Sequence, residues 1–116
     1  MISRTLCPRF HRAIELVGSR WTGAILQLLL AGPARFAELA ESIPQISDRM
    51  LSERLQVLEK EGLVTRSVLP TAPVRVEYAL TAKGRELQRS LDAVAAWAQK
   101  WLPDPARATG RRSSRS

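Results

Sequence analysis

The chain has 116 residues, of which 45% are hydrophobic and 25% charged. These values are ordinary for a globular protein, and the length allows one domain with a modest core rather than two. Lys and Arg outnumber Asp and Glu by 18 to 11, so the net charge of +7 favours a polyanionic partner such as nucleic acid. The single cysteine, Cys7, excludes an internal disulfide and every multi-cysteine metal motif, so we expect neither a metal nor a cofactor.

No stretch approaches the roughly 18 consecutive apolar residues that a transmembrane helix needs. The first residues also lack the apolar region of a signal peptide. We therefore expect a cytoplasmic protein without a membrane partner.

Two helices are predicted in the first thirty residues. The first covers about residues 10–17 and ends at Gly18. The second, residues 21–30, is apolar on most of its circumference, as expected of a central helix that is packed from several sides. We expect its large Trp21 in the core or in an interface rather than stacked on a ligand.

A helix-turn-helix unit is predicted next. Arg35 and Phe36 form a short extended pair, and residues 37–43 form a brief helix that turns Leu39 and Ile43 inward. A two-residue joint, which contains no glycine, then leads into a longer helix. Two helices of unequal length joined in this way match a unit in which the first helix braces the second.

The longer helix, which starts near residue 46, carries the strongest local signal. Leu51, Leu55 and Leu58 recur at i, i+4 and i+7, so they line one face. Ser47 is placed as the N-cap, and Gly62 lies just past the last turn. The opposite face carries long polar side chains, those of Arg49, Glu53, Gln56 and Lys60.

Two strands are predicted after Gly62, at residues 63–69 and 74–80, because both stretches are rich in β-branched residues. Pro70 and Pro73 bound the tip between them, since proline lacks the N–H that a sheet ladder needs. The fold class is thus mainly α with a small β-hairpin wing, a winged helix-turn-helix. On spacing alone, a generic α+β fragment whose hairpin merely covers a core is the alternative.

A final helix is predicted over residues 82–101, with Thr81 as its cap and Gly84 in its first turn. Its apolar stripe exceeds what one small subunit can cover, which indicates a partner subunit; the stripe consists of Leu87, Leu91, Val94, Ala98 and Trp101, with Trp97 beside it. We assign residues 1–102 to one DNA-binding and dimerisation domain. Residues 103–116 are predicted to be a disordered basic tail, either merely solvated or weakly bound to phosphate.

The ordered set of motifs resembles the HxlR-type transcriptional regulators, relatives of the MarR winged-helix group. The motifs that carry the resemblance are CP at 7–8, GSRWT at 18–22, RFAEL at 35–39, ISDRML at 46–51, RL at 54–55, LE at 58–59, GLVTR at 62–66 and VEYALT at 76–81, followed by Gly84. The resemblance implies a homodimer, built from the first and last helices, on a pseudo-palindromic operator. The interface would then include Phe10, Ile14, Leu91, Val94, Trp97, Ala98 and Trp101.

The resemblance also implies which residues meet double-stranded DNA. In the recognition helix the matching positions are Ser47, Arg49, Met50, Ser52 and Arg54, and the outward positions add Glu53 and Gln56. Arg54 points closer to the leucine stripe, where either a phosphate contact or an internal ion pair is expected. Arg66 and Arg75 belong to the wing, and Arg75 next to the tip is the better candidate for a minor-groove or phosphate contact.

A cysteine near the N terminus senses oxidants or electrophiles in some members of this group, and Cys7 matches that position. Nearby arginines could stabilise the reactive thiolate. The alternative is a small buried side chain that only packs. A small-molecule effector is the other expectation by analogy, in an apolar pocket lined by Trp21, Trp97 or Trp101.

The function predicted is a dimeric, sequence-specific transcriptional regulator, more specifically a repressor, because blocking a promoter needs only occupancy. A winged helix that serves purely as a protein-interaction module is the alternative. An enzyme is not expected, since one cysteine and one histidine, His11, lack a third orienting group and any phosphate-binding loop.

Overall fold

The computed structural model of the protein describes residues 4–105, which divide between two compact units, Met1–Glu86 and Leu87–Ser116. Within the described residues there are six helices and three strands. In chain order they are α1 (Pro8–Val17), α2 (Thr22–Leu30), β1 (Ala34–Arg35), α3 (Phe36–Ser42), α4 (Asp48–Lys60), β2 (Val64–Leu69), β3 (Arg75–Leu80), α5 (Ala82–Arg85) and α6 (Gln88–Trp101).

The first two helices form close to where the sequence placed them. α1 begins at Pro8, two residues earlier than predicted, because the fixed φ of proline suits the first helical position. It ends at Gly18, whose N–H donates to the Ile14 carbonyl at 2.7 Å. α2 starts at Thr22 rather than Trp21, since Trp21 is the N-cap and has a left-handed backbone with φ of 75°.

The core of the first unit is formed by α2, α3, α4 and one face of the sheet, whereas α1 contributes no buried residue. It is almost entirely aliphatic, as expected for a domain of this size. Its buried hydrophobic residues are Ile25, Leu26, Leu29, Leu39, Ile43, Leu51, Leu55, Leu58, Leu63, Val64, Tyr78 and Leu80. The inward positions predicted for the two helices of the helix-turn-helix, including all three recognition-helix leucines, are therefore confirmed.

The start of α3 differs from the prediction by one residue. The extended pair is Ala34–Arg35, and Phe36 already belongs to the helix. The cause is local: the Arg35 N–H donates to the Glu38 carboxylate at 2.8 Å, which fixes Arg35 as the N-cap. In the joint before α4, Gln45 adopts φ of 73° and so supplies the left-handed turn that a glycine usually makes.

The hairpin wing is confirmed, and it is part of a larger sheet. β2 and β3 pair antiparallel from Val64 opposite Leu80 to Leu69 opposite Arg75, with the two prolines in the loop between them. β1 adds a third, two-residue strand on the other side of β3, giving the order β1-β3-β2. This pairing was not predicted, because two residues are too few to show a period.

The turn from α4 into the sheet is closed by residues of α5 and its cap. Gly62 has φ of 80°, as its position after the last turn predicts. Thr81 caps α5 by accepting from the Gly84 N–H at 3.0 Å, and its hydroxyl donates to the Gly62 carbonyl at 2.6 Å. Lys83 Nζ donates to the Glu61 carbonyl at 2.7 Å. The end of α4 and the start of α5 are therefore joined directly.

The prediction of one helix over residues 82–101 is wrong. α5 ends at Arg85, a turn occupies Glu86 and Leu87, and α6 follows. Leu87 keeps right-handed helical angles (φ −76°, ψ −11°), so the interruption concerns hydrogen bonds more than backbone conformation. Gly84 disfavours continued helix here. The apolar repeat concealed the break because it begins at Leu87 and runs on through α6.

Candidate DNA-binding surface

The N-cap and the buried leucines of α4 determine which face of the helix is turned outward. Ser47 accepts from the Met50 N–H at 3.0 Å, which starts the helix at a defined residue. Leu51, Leu55 and Leu58 are at most 1% exposed, so the opposite side must face outward. Of the predicted contact residues in this region, Ser47, Arg49, Glu53 and Gln56 are exposed, whereas Met50, Ser52 and Arg54 are half-buried.

Arg49 and Glu53 form a pair on this outer face. Arg49 Nε donates to Glu53 Oε2 at 3.1 Å, across one turn of the helix. The Arg49 side chain is 89% exposed and the Glu53 side chain 50% exposed. Such an exposed pair adds little to stability. Its geometric effect is to orient the guanidinium group at the N-terminal part of α4.

Arg54 is half-buried and makes a hydrogen bond within the protein. Its Nε donates to the Arg20 carbonyl at 3.0 Å, in the corner between α1 and α2. In the same corner the Arg20 guanidinium lies 4.6 Å from the ring centroid of Trp21, which caps α2. The internal partner of Arg54 is thus a main-chain carbonyl, whereas the sequence suggested a carboxylate or a phosphate. Sequence reasoning missed Arg20, whose carbonyl directly precedes the left-handed Trp21.

The two wing arginines lie on opposite faces of the hairpin. Arg66 is opposite Tyr78, whose side chain is buried, so it lies on the core side of the sheet. Arg75 is opposite Leu69, at the tip end of the ladder, and three residues before Tyr78, so it lies on the other side. Both are exposed. They cannot approach one phosphate from the same face.

The charge of the reading region is low. Residues 32–80, which include α3, α4 and the wing, contain six basic and seven acidic side chains, a net charge of −1. The positive charge of the chain therefore comes from the residues before 32 and after 80. Long-range attraction to phosphate would therefore come mainly from those two segments rather than from α4.

Cys7 is an exposed, free thiol at the N-cap of α1. Its carbonyl accepts from the His11 N–H at 3.0 Å, in the first turn of the helix. The interpretation of Cys7 as a buried packing residue does not hold within the protomer. Phe10 and Ile14, one and two turns further along α1, are also exposed although they are apolar.

A surface pocket lies where α2 ends and α3 begins. Its lining is mostly apolar: Leu28, Ala31, Gly32, Pro33, Ala34, Glu38, Leu39 and Ser42. Trp21 is not among these residues, so this pocket differs from the one expected beside the tryptophans. In the part of the chain that the structure describes, no three His, Cys, Asp or Glu side chains are grouped to hold a metal ion. None of the helices between residues 4 and 105 is long and apolar enough to cross a membrane.

Comparison with known proteins decides the family. The sequence model of the HxlR-like helix-turn-helix family matches residues 16–106. The chain belongs to the HxlR-like helix-turn-helix family. Two relatives come from Bacillus subtilis (strain 168), the uncharacterized HTH-type transcriptional regulator YvaP and the HTH-type transcriptional regulator YodB. Each is 46% identical over 100 residues; the match covers 86% of this chain, 92% of YvaP and 89% of YodB.

Solved structures of HxlR-like and related regulators have the same fold. The reduced form of YodB from B. subtilis is 46% identical, with a TM-score of 0.77 over 84% of this chain and 96% of that one. The redox regulator HypR in its oxidized form is 32% identical, with a TM-score of 0.78 over 84% of this chain and all of that one. A MarR-family regulator from Porphyromonas gingivalis W83 is 31% identical, with a TM-score of 0.78 over 88% and 99%.

Membership of the HxlR-like family gives the chain its general function: it is a DNA-binding transcriptional regulator. The winged helix-turn-helix that the sequence predicted is the fold that these relatives share.

Proposed function

We propose that the chain is a homodimeric repressor that reads a pseudo-palindromic operator with the outer face of α4 and grips phosphates with its wing. The free, polar face of α4 is the observation that carries this proposal, because its leucines and its N-cap leave that face no role inside the protomer. The proposed DNA-facing residues are Ser47, Arg49, Met50, Ser52, Glu53, Gln56, Arg66 and Arg75, with Arg54 as a phosphate contact through the nitrogens that do not bind the Arg20 carbonyl. We place this activity in the cytoplasm.

The dimer would use the exposed apolar residues of α1 and α6. Phe10 and Ile14 on α1, and Val94, Trp97 and Trp101 on α6, are exposed, whereas Leu91 and Ala98 are half-buried. Each set forms an apolar face on its own helix, and burial against a second copy would remove both from water. Two recognition helices could then occupy successive major grooves.

Binding is tested by anisotropy titration of the protein against its own upstream intergenic DNA and a scrambled duplex, at two salt concentrations. A sequence-specific regulator keeps its preference for the upstream DNA at the higher salt, where phosphate contacts weaken. The double variant Arg49→Ala, Ser52→Ala should lose that preference, while Arg85→Ala, an exposed arginine of α5, should keep it. Equal binding to both duplexes at both salts would contradict the proposal and favour the protein-interaction module.

We also propose that an oxidant or electrophile releases the protein from DNA by reacting with Cys7. The exposed thiol supports this step, as do the diamide-treated and quinone-bound structures of YodB and the oxidized form of HypR. The chain has no other cysteine, so a disulfide requires Cys7 of a second subunit or a small thiol. Cys7→Ser should abolish release by diamide; if release persists in that variant, another group is the sensor.

A further inference from the structure

The geometry of the Arg49–Glu53 pair leaves one edge of the Arg49 guanidinium group available for a base contact. A guanidinium group presents its N–H donors in a fixed plane, and two of its edges can make paired hydrogen bonds. The edge that includes Nε is occupied, because Nε donates to Glu53 at 3.1 Å. The remaining edge, formed by the two Nη atoms, belongs to a side chain that is 89% exposed.

The position on α4 suits a base contact rather than a phosphate contact. Arg49 is the second residue of the helix, and the N-terminal residues of a recognition helix are those that meet base edges in the major groove. Two parallel donors match the O6 and N7 acceptors of guanine, which is the commonest specific arginine contact. Adenine offers only one acceptor on the same edge, and cytosine presents a donor.

Glu53 lies on the outer face of α4, which is proposed to meet DNA, so its negative charge there requires an explanation. An acidic side chain there lowers affinity for any duplex, and the reading region already has a net charge of −1. A carboxylate that favours one orientation of Arg49 offsets part of this loss by favouring the contact of the arginine with one kind of base. Arg49 then loses part of its side-chain freedom before DNA is bound, which lowers the entropic cost of binding.

We infer that Arg49 reads one guanine in each half-site through its two Nη atoms, and that Glu53 is a positioning residue that fixes the guanidinium plane. The inference rests on the proposed DNA-reading role of α4 and adds to it the identity of a base. Glu53 therefore controls specificity without contacting the base, and it lowers affinity for all DNA alike.

The test is selection from a pool of random duplexes with the wild type and the variants Arg49→Ala, Glu53→Ala and Glu53→Gln. The wild type should enrich a motif with a guanine in each half-site. Arg49→Ala should lower the preference for that guanine by at least about fivefold, the lower end of a paired base contact. Glu53→Ala should weaken the same preference yet bind scrambled DNA more tightly. Glu53→Gln, which keeps an acceptor for Nε, should restore much of the preference.

A base analogue and a control variant complete the experiment. Replacing the selected guanine by 7-deazaguanine removes the N7 acceptor, so it should weaken binding of the wild type but not of Arg49→Ala. Lys60→Ala removes the same charge from the far end of α4 and should leave the motif unchanged.

The outcomes separate two failures. If the wild type enriches no motif, the proposed sequence-specific function fails. If it enriches a motif that Arg49→Ala leaves unchanged, the function stands and the inference is overturned. A loss of a cytosine preference in Glu53→Ala, with the guanine preference intact, would overturn the positioning role, because Glu53 would then read a base itself.

Discussion

Individual side chains of α4 divide into those that hold the helix in place and those that face outward. Three leucines are buried, and Arg54 Nε donates to the Arg20 carbonyl at 3.0 Å. Arg49, by contrast, contacts only a side chain of its own helix among the hydrogen bonds and ion pairs described for residues 4–105. Stability and base reading should therefore respond to different substitutions in the same helix.

Arg54→Ala is expected to lower the free energy of unfolding by about 1 kcal/mol, the usual net contribution of one hydrogen bond. The corner between α1 and α2 then loses its link to α4. Arg49→Ala removes an exposed pair and should change the free energy of unfolding by less than about 0.5 kcal/mol. Urea denaturation of both variants measures the difference. Equal stability of the two would show that Arg54 is not a structural link.

Gly84 is required by a close approach of two backbone segments. A Cβ at this position would overlap the carbonyl oxygen of Leu63, and it would also lie 3.1 Å from a methyl carbon of Leu80. We expect Gly84→Ala to lower the melting temperature clearly, because the backbone of Leu63 cannot move without disturbing the start of β2.

Gly23 in α2 is the matched control for that substitution. The nearest atom to a Cβ at Gly23 lies 4.0 Å away, so an alanine fits without displacement. Gly23→Ala should raise the melting temperature slightly, since alanine is favoured over glycine in helices, although by less at this second position of α2 than the about 1 kcal/mol of a helix interior. Calorimetry that showed the same sign for both alanine variants would contradict this account of Gly84.

Among the elements, the wing differs from the recognition helix in the kind of contact it can make. Its two strands are held by an antiparallel ladder of six register pairs. Its root is tied to the end of α4 through Thr81 and Lys83. Between these fixed ends, Val68 and Val74 near the tip are exposed. The wing is therefore hydrogen-bonded along its length and at its root, and its two arginines lie on different faces.

Arg75→Ala is expected to weaken binding to the upstream and the scrambled duplex by the same factor, because a phosphate contact carries no sequence information. It should also lower the slope of log affinity against log salt by about 1, since one phosphate fewer is neutralised in the complex. Arg66→Ala, on the core side of the hairpin and farther from the tip, should have a smaller effect. An equal reduction in both variants would show that the tip does not govern the interaction.

At the scale of the whole molecule, two properties bear on DNA binding: the oligomeric state and the distribution of charge. The apolar side chains of α6 and α1 are exposed in the single chain, and most of the positive charge lies outside residues 32–80. The charge distribution predicts that affinity for phosphate comes mainly from outside residues 32–80, and the exposed apolar side chains predict where a second subunit packs.

Val94→Glu should shift the protein from dimer to monomer, because it places a charge on an apolar side chain that is 63% exposed in the single chain. Light scattering after gel filtration measures the mass. Ser90→Glu adds the same charge to an exposed polar position of α6 and should remain dimeric. A wild type that is itself a monomer, or a Val94→Glu variant that stays dimeric, would exclude α6 as the interface.

The basic tail is expected to supply affinity without specificity. Residues 103–116 carry four arginines and one aspartate, a net charge of +3, and those after 105 lie outside the described residues. Removal of residues 103–116 should make the salt dependence of binding shallower, because fewer counterions are released. The preference for upstream over scrambled DNA should not change. A steep salt dependence in the shortened chain would identify the tail as merely solvated.

Much of the first unit could be predicted because its signals are local. The spacing of Leu51, Leu55 and Leu58 defines a buried helix face within eight residues, and two prolines mark the wing tip. The outward residues of α4 follow from the same period. The contact between Arg49 Nε and Glu53 did not follow, since a period places Glu53 beside Arg49 without specifying which nitrogen it binds.

The sequence by itself determined the order of α1 to α4 and of the two wing strands, the polar face of α4 and the family, because these follow from hydrophobic period, capping residues and motif order along the chain. Only the tertiary structure decided the carbonyl partner of Arg54, the left-handed backbone of Trp21 and Gln45, and the third strand at Ala34–Arg35. Each of these depends on atoms that are distant in sequence or on a strained angle that packing must hold. Neither can be read from neighbours along the chain.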